Sequence, residues 1–251
     1  MKKFQYKDAK QIVVCGDIHG DFSHLVYKLC VRYQMTDTLL IVAGDCGFGF
    51  EVPKNYTVYY NRLAIRLRKA NNWIVFVRGN HDDPSYFQEE KVSYRRFRCV
   101  PDYSTIHACG HNILCVGGGV SIDRRTRIEN NHKYAGKTTA FYWEDEMPVF
   151  DENKIREIGE CLRIDTVVTH TAPSFCPLQE KNFLKDWAPY DPTLPDDCEK
   201  ERKTMDKIFE ALTNDGHPLD KWYYGHFHQT YQCKRHGVCF RMLDIMEFAS
   251  M

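Results

Sequence analysis

The sequence predicts an α/β fold built on a largely parallel sheet. Its 251 residues are 43% hydrophobic and 27% charged, a composition that suits a globular protein with a sizeable core. In the first third of the chain, short apolar runs alternate with longer amphipathic stretches. This strand–helix–strand–helix–strand order favours parallel strand pairing through right-handed crossovers.

Local pattern assigns each element of this alternation. The runs 12–15, 39–43 and 73–77 are short, apolar and bounded by polar residues or glycine, which is typical of buried strands. Residues 22–33 carry apolar side chains three or four positions apart, and residues 56–70 are rich in Leu, Ile and Arg. Both stretches predict helices that pack against the sheet.

The remainder of the sequence predicts shorter elements and one long loop. Strands are expected at 104–107, 112–116, 166–169, 222–224, 231–233 and 238–243, and helices at 152–161 and 197–213. Five of the ten prolines fall between residues 173 and 195, so segment 173–197 is expected to be an irregular loop that could act as a lid. No repeat or linker divides the sequence, so residues 1–251 are expected to form a single domain.

Net charge and cysteine content indicate which class of partner and which cellular compartment to expect. The 34 basic and 34 acidic residues balance to a net charge of zero, which argues against duplex nucleic acid as a partner. The 11 cysteines are odd in number and include no C-x-x-C pair, so free thiols in a reducing compartment are expected. The sequence begins without an apolar leader, and its apolar runs are too short to span a bilayer. A cytoplasmic protein with no membrane partner is therefore expected.

Polar clusters follow five of the predicted strands, each at the point where the strand ends. They are 16–20 (Gly-Asp-Ile-His-Gly), 44–47 (Gly-Asp-Cys-Gly), 79–82 (Gly-Asn-His-Asp), 169–171 (Thr-His-Thr) and 225–228 (Gly-His-Phe-His). Because ligands of open α/β sheets bind at the carboxyl ends of strands, we expect these clusters to converge. Asp, His and Asn offer donors that suit hard or borderline divalent cations. Two such cations about 3.5–4 Å apart would hold the attacking and the leaving oxygen of a phosphoryl transfer.

The order of these clusters resembles the calcineurin-like metallophosphoesterase superfamily. The patterns G-D-x-H, G-D, G-N-H-D, a single His and G-H-x-H occur between Asp17 and His228, which is most of the chain. The resemblance implies a four-layer α/β/β/α sandwich with two mixed sheets and a metal site at the carboxyl ends of the strands. It also implies two divalent metal ions, with manganese, iron, zinc, nickel and magnesium all open. The implied ligands are Asp17, His19 and His228 for one ion, Asn80, His170 and His226 for the other, and Asp45 as the bridge between them.

The resemblance also implies a role for His81, and here the sequence departs from one branch of the family. His81 matches a histidine that is not a ligand but contacts the phosphate and protonates the leaving group, a general-acid role. The protein-phosphatase branch continues its second motif as G-D-x-x-D-R-G, whereas this sequence reads Gly-Asp-Cys-Gly-Phe-Gly-Phe over 44–50. The Asp that orients the histidine in that branch is missing, which disfavours a protein serine/threonine phosphatase. Asp82 or Asp83 is the candidate for that orienting role.

Alternatives remain for the substrate and for the arginines at 124, 125 and 127. Arg124, Arg125 and Arg127 either belong to a solvated loop or grip a substrate phosphate. The expected function is metal-dependent hydrolysis of phosphate mono- or diesters, with a small molecule, a nucleotide or a phosphoprotein as substrate. Trp187 and Tyr190 are candidates for stacking on a base. The alternative functions are a non-catalytic scaffold that binds metal or phosphate, and a thiol-based protein.

Overall fold

A computed structural model describes residues 1–137, 139–178 and 184–251 as two β-sheets with helices packed outside them. The described strands are β1 Lys3–Gln5, β2 Gln11–Cys15, β3 Thr38–Ala43, β4 Trp73–Val77, β5 Ser93–Tyr94, β6 Phe97–Cys99, β7 Ser104–Ala108, β8 His111–Val116, β9 Thr166–Thr169, β10 Lys221–Tyr224, β11 Tyr231–Arg235, β12 Val238–Met242 and β13 Phe248–Ser250. The described helices are α1 Phe22–Tyr27, α2 Pro53–Lys69, α3 Ser85–Gln88, α4 Arg124–Lys133, α5 Glu152–Cys161, α6 Leu184–Trp187 and α7 Leu194–Asn214.

The six-stranded sheet contains the parallel strands predicted from the first third of the chain. Its order is β13-β2-β3-β4-β6-β5, and β2, β3, β4 and β6 run parallel. The edge strands β13 and β5 are antiparallel to their neighbours. Because α1 and α2 make the crossovers, the carboxyl ends of β2, β3 and β4 lie side by side.

The seven-stranded sheet is also mixed, in the order β1-β7-β8-β9-β10-β12-β11. The strands β8, β9, β10 and β12 run parallel, and the predicted hairpins form as the antiparallel pairs β7–β8 and β11–β12. The carboxyl ends of β9 and β10 are therefore adjacent. Each sheet thus brings together, at one edge, strand ends that carry polar clusters.

Alternation along β3 shows how the layers form. Leu40 and Val42 pack into a core shared with α1 and α2, whereas Leu39 and Ile41 pack into a second core between the two sheets. A third core lies between the seven-stranded sheet and the helices α5 and α7. Three cores separate four layers, which confirms the α/β/β/α sandwich with two mixed sheets.

Two helical regions differ from the sequence-based expectation. α1 ends at Tyr27 and continues as a π-helical turn, Lys28–Arg32, where the pattern predicts one α-helix over 22–33. α4 occupies a stretch that favours a solvated loop by sequence. Arg124 is the one buried residue in α4, so this helix has no apolar stripe to reveal it.

Segment 173–197 is partly helical in the residues that are described. It contains α6, and α7 begins at Leu194, three residues before the predicted start. A proline near the start of α7 is tolerated because the first turn has no intrahelical acceptor for its missing N–H. Residues 179–183 lie outside the described residues, and the lid and the single domain remain predictions.

Two further findings bear on the sequence-based expectations. Among the described helices, none has both the length and the apolar character that a membrane crossing requires. All eleven cysteines are free thiols.

Candidate metal centre

The predicted clusters meet where the carboxyl ends of the two sheets come together. The predicted ligands Asp17, His19, Asp45 and Asn80 follow strands of the six-stranded sheet, and His170, His226 and His228 follow strands of the seven-stranded sheet. The backbone N–H of His226 donates to Asp17 Oδ1 at 3.1 Å. His170 Nε2 lies 3.2 Å from Asp45 Oδ1. Both contacts join residues from different sheets.

The first group of donors comprises Asp17, His19, Asp45 and His228. One potential ligand atom from each of these residues lies within 4.8 Å of the others. His228 Nε2 is 3.0 Å from Asp17 Oδ2, and the Nε2 atoms of His19 and His228 are 3.2 Å apart. The structure therefore places these four predicted ligands close enough together to bind one metal ion.

The second group comprises Asn80, His170 and His226, next to the same Asp45. His170 Nε2 lies 2.8 Å from Asn80 Oδ1, and the rings of His170 and His226 are 4.8 Å apart between centroids. His170 Nδ1 donates to the carbonyl of Ala43 at 2.9 Å, which turns its Nε2 toward Asp45. All seven predicted ligands are thus brought together, with Asp45 between the two groups.

The donor atoms fit divalent cations. Asp17 Oδ2 is buried, and no donor among the described residues reaches it in hydrogen-bond geometry, although His228 Nε2 is close. A buried carboxylate oxygen without a donor is costly unless a cation meets its charge. Carboxylate, imidazole and amide oxygen are ligands that divalent metals accept in proteins.

The electrostatics favour the metal-binding protonation states of Asp45 and His226, whereas His170 carries a proton that a bound cation would displace. Although burial opposes it, the imidazoles of His81 and His170 hold the pKa of Asp45 well below its ordinary value. Burial, reinforced by His170, holds the pKa of His226 well below its ordinary value. Burial would also lower the pKa of His170, but Asp45 and Asp17 outweigh it and raise that pKa to about 10. An ionised Asp45 and a neutral His226 are the forms that coordinate a cation.

Glycine is required at two motif positions because a neighbouring ligand occupies the space of a side chain. A Cβ on Gly79 would lie 2.1 Å from Asp45 Oδ1, and a Cβ on Gly225 would lie 2.1 Å from Asp17 Oδ1. Each of these glycines stands one residue before a predicted ligand. They let separate strand ends approach one another closely.

Four predicted ligands have a left-handed backbone. The φ angles are 45° at His19, 43° at Asp45, 68° at His226 and 49° at His228. Such conformations cost on the order of 1 kcal/mol each outside glycine, and they concentrate at functional sites. Backbone contacts between the clusters maintain them, including His19 N–H to the Asp45 carbonyl at 2.8 Å.

A chain of polar contacts that the sequence did not reveal orients Asn80. Asn80 Nδ2 donates to Ser121 Oγ at 2.8 Å, which leaves Asn80 Oδ1 to face the metal centre. Ser121 Oγ donates to Glu146 Oε2 at 2.6 Å, and the Ser121 N–H donates to Glu146 Oε1 at 2.8 Å. The buried Arg78 in turn donates to the Glu146 carbonyl at 2.7 Å. These hydrogen bonds determine that the amide oxygen of Asn80, and not its nitrogen, faces a bound cation.

Replacing Ser121 by alanine should weaken metal affinity about 10–100-fold, the usual effect of losing a residue that orients a ligand. Asn80 would lose the acceptor that fixes its amide. Calorimetric titration of manganese into chelated protein measures the affinity, and excess metal should recover much of the turnover.

Ser174→Ala is the matched control for Ser121→Ala. Ser174 Oγ bonds Asp206 at 2.7 Å on an exposed surface, so its loss should leave metal affinity at the wild-type value. Wild-type affinity in Ser121→Ala, or an equal loss in both variants, would contradict the orienting role.

Glu201 is a second buried carboxylate that the sequence pattern did not single out. It comes from α7, accepts the N–H of Val120 at 2.6 Å and the hydroxyl of Thr171, and lies 3.9 Å from His226 Nε2. Burial raises the pKa of Glu201 to about 7. It links α7 to the loops that carry the second donor group.

His81 lies beside Asp45 and Arg127. The backbone N–H of His81 donates to Asp45 Oδ1 at 2.9 Å, and the ring Nδ1 of His81 is 3.4 Å from Arg127 Nη2. A guanidinium only donates, so this contact favours Nδ1 as the acceptor and the ring proton on Nε2. Burial lowers the pKa of His81, Arg127 and His19 lower it further, and Asp45 and Asp123 oppose the shift.

Asp82 supports the loop after β3 instead of contacting His81. Its two oxygens accept the backbone N–H groups of residues 46–48 and of Gly79 at 2.7–3.0 Å. Asp83 bonds within its own turn. Neither carboxylate contacts His81 in the described structure, so the suggestion that one of them orients His81 is not supported.

Two of the three candidate phosphate-binding arginines are engaged elsewhere. Arg124 is buried and pairs with Asp191 at 2.6 Å and with Asp197 at 2.8 Å. Arg125 donates to the carbonyl of Tyr190. These contacts tie α4 to the start of α7 and favour a structural role for both. Of the three, Arg127 is the one that reaches the predicted catalytic histidine.

Comparison with known proteins agrees with this geometry. The calcineurin-like phosphoesterase family model matches residues 10–230. The serine/threonine-protein phosphatase ppe1 of Schizosaccharomyces pombe is 30% identical over 129 residues, which cover 46% of this chain and 41% of that phosphatase. This chain therefore matches less than half of that relative's length.

Solved structures share the fold at low sequence identity. The protein TT1561 of Thermus thermophilus aligns with a TM-score of 0.54 and 11% identity, over 97% of this chain and 98% of that chain. A dimetal phosphatase from Danio rerio aligns with a TM-score of 0.50 and 13% identity, over 94% of this chain and 87% of that chain. Since the family model spans most of the sequence and the strand ends that carry the predicted ligands converge, this chain belongs to the calcineurin-like phosphoesterase family.

Proposed function

We propose that this chain hydrolyses phosphate mono- or diesters with a water molecule activated between two divalent cations. The observation that carries the proposal is the position of Asp45. Its carboxylate clusters with Asp17, His19 and His228, and its Oδ1 also lies 3.2 Å from His170 Nε2. One carboxylate that faces two donor groups suits a bridge between cations about 3.5–4 Å apart.

The residues divide into two sets around this bridge. Asp17, His19 and His228 would hold one cation, and Asn80, His170 and His226 would hold the other. When bound, the two cations would lower the pKa of a shared water and offset charge on the phosphate oxygens. Asn80 contributes its carbonyl because Ser121 holds its amide nitrogen.

His81 lines the cavity over the two donor groups, and Arg127 contacts its imidazole ring. The proton on His81 Nε2 is placed for donation to a phosphate oxygen or to the leaving oxygen. Arg127 keeps that tautomer by occupying Nδ1, and Asp123 holds Arg127 in place through a contact of 2.6 Å. Arg127 therefore positions His81 and adds positive charge where phosphate binds.

The cavity over these residues favours a small substrate with an apolar group. It measures about 610 Å³, within the range of small-molecule sites. Beyond the polar floor, Ile122, Leu184, Trp187 and Phe227 form an apolar wall. A flat apolar group next to the phosphorus would bury surface against this wall. We infer that the substrates are small phosphoesters of this kind, and that phosphoproteins are secondary.

Divalent metal should restore hydrolysis to chelated protein, and benzyl phosphate should be preferred over ethyl phosphate by about tenfold in kcat/KM, since burying the ring contributes roughly 1.5 kcal/mol or more. The two esters release alcohols of similar basicity. The ratio of their kcat/KM values therefore measures the contact between the ring and the apolar wall. The panel adds manganese, iron, zinc, nickel or magnesium singly, with diphenyl phosphate as the diester.

Two variants test whether the apolar wall causes the preference for benzyl phosphate. Trp187→Ala should reduce the benzyl preference, whereas Tyr190→Ala, an exposed aromatic in the same segment that does not line the cavity, should keep it. Tight metal binding with no hydrolysis of any ester would overturn the enzymatic proposal in favour of a scaffold that binds metal or phosphate. Hydrolysis without a benzyl preference would overturn the substrate class alone.

We also propose that the chain acts in the cytoplasm. Free thiols at all eleven cysteines suit a reducing compartment. The net charge of zero supports small-molecule partners over duplex nucleic acid.

A further inference from the structure

A second cavity lies at the opposite end of β4 from the metal centre. It measures about 280 Å³ and is lined by residues 3–8, Trp73, Arg95 and Arg98. Trp73 begins β4 and Asn80 follows its other end, so the two sites lie roughly 20 Å apart at about 3.3 Å per residue. Nothing in the proposed hydrolysis uses this cavity.

Arg98 projects into the gap between the two sheets at this edge. It pairs with Val75 across β4 and β6, and Val75 belongs to the core between the sheets. Phe4 of β1 faces the same gap from the other sheet, and the Arg98 guanidinium lies 5.0 Å from its ring centroid. Arg98 Nε is buried and has no hydrogen-bond partner among the described residues. Arg98 Nε thus lacks an acceptor, and an anion in the adjoining cavity would supply one.

The neighbouring Arg96 also stacks on an aromatic ring, but its guanidinium has hydrogen-bond acceptors within the protein. Its guanidinium lies 4.6 Å from the Trp73 ring centroid. Its nitrogens donate to the Asn72 carbonyl at 3.0 Å and to Asn71 Oδ1 at 2.8 Å. Arg98 has the same stacking without those acceptors, so packing alone does not account for its donors.

The other charges around the cavity are mostly positive. Lys3, Lys7 and Arg95 line it, and within the described ranges none of them forms an ion pair or a side-chain hydrogen bond. Asp8 is the one acid among the lining residues, against four cations counting Arg98. Because the whole chain has zero net charge, this excess is local and attracts anions to one place.

We propose that this cavity binds a small oxyanion of the phosphate or sulfate class, at a site separate from the metal centre. Arg98 donates to the anion from the floor, and Lys3, Lys7 and Arg95 offset its charge at the mouth. Phe4 and Trp73 supply an apolar side that would accept a carbon group attached to the anion.

The test uses the whole 251-residue chain with its metal centre disabled by His226→Ala and chelation, so that metal-dependent anion binding there is removed. Inorganic phosphate and then sulfate are titrated and followed by calorimetry. We expect one saturable equivalent of anion. Arg98→Met, which keeps the apolar contact with Phe4, should weaken binding by about tenfold or more, since losing charge-assisted donors is worth at least that factor.

Arg235→Met is the matched control, because Arg235 is exposed on β11 at the opposite edge of the seven-stranded sheet. It should bind phosphate as the parent does. No saturable binding in the parent, or equal affinity in Arg98→Met and Arg235→Met, would overturn the proposal. Preference for one anion over the other decides between phosphate and sulfate as the ligand.

If Arg98→Met does not fold, the surface variant Lys3→Gln/Lys7→Gln/Arg95→Gln provides the test. These side chains are exposed, so the fold should persist. Phosphate affinity should fall and its dependence on salt should become weaker. Unchanged affinity in this variant would also overturn the proposal.

Discussion

Replacing Asp45 by asparagine should lower kcat/KM for benzyl phosphate by about a thousandfold, the factor that corresponds to losing roughly 4 kcal/mol of transition-state stabilisation. Asparagine keeps the volume of aspartate but has no charge and one acceptor atom. Asp45 Oδ1 faces His170 at 3.2 Å and its Oδ2 faces His81 at 3.7 Å. An amide cannot offer an acceptor in both directions. Steady-state kinetics at saturating metal, with metal content measured by mass spectrometry, should show lost turnover and fewer bound ions.

Asp21→Asn is the matched control for this substitution. Asp21 follows the first cluster and accepts the N–H of His24 at 3.0 Å as the N-cap of α1. Asparagine caps helices about as well as aspartate, so this variant should keep nearly full activity. Full activity in Asp45→Asn, or an equal loss in Asp21→Asn, would remove the bridging role from Asp45.

The features that could be predicted from sequence depend on few consecutive residues. The run at 39–43 is apolar at every position, and β3 is buried throughout because both of its faces meet a core. The predicted ligand positions follow closely from such strands, since β2, β3 and β10 are each followed at once by a glycine and a polar residue, and β9 is followed directly by His170. The sequence motifs include Gly79 and Gly225, but the sequence does not show which neighbouring atoms these glycines make room for.

The features that could not be predicted depend on residues far apart in the chain. Asn80 is oriented by Ser121, which lies 41 residues away, and Ser121 is held by Glu146, a further 25 residues along. No local pattern marks either residue as part of the site. β13 pairs with β2 from the other end of the sequence, and its three residues are too few to give a periodic signal.

The arginines show the same limit at short range. Arg124 and Arg127 lie within one turn of α4, yet one pairs with Asp191 and the other contacts His81. Residues three positions apart in a helix point about 60° apart and lie about 4.5 Å apart along its axis, so long side chains from one face can still end in different surroundings. Without the helix, the sequence gives three equivalent candidates for a phosphate contact.

Replacing Asp82 by alanine should lower the free energy of unfolding by about 4 kcal/mol, because several buried N–H donors would lose their charged acceptor. Four backbone N–H groups, from residues 46–48 and Gly79, donate to this fully buried carboxylate. For a chain of this size, such a loss corresponds to a fall in Tm of about 10 °C. Thermal unfolding followed by circular dichroism measures it.

Asp83→Ala separates support of the loop from a direct role at His81. Asp83 accepts from the N–H and hydroxyl of Ser85 at 2.9 and 2.6 Å in a partly exposed turn, so its loss should cost about 1 kcal/mol. Because the loop that Asp82 holds begins one residue after Asp45, Asp82→Ala should lose activity together with stability, and cooling should recover part of it. Lost activity at an unchanged Tm would instead place Asp82 at the chemistry of His81, against the contacts that the structure shows.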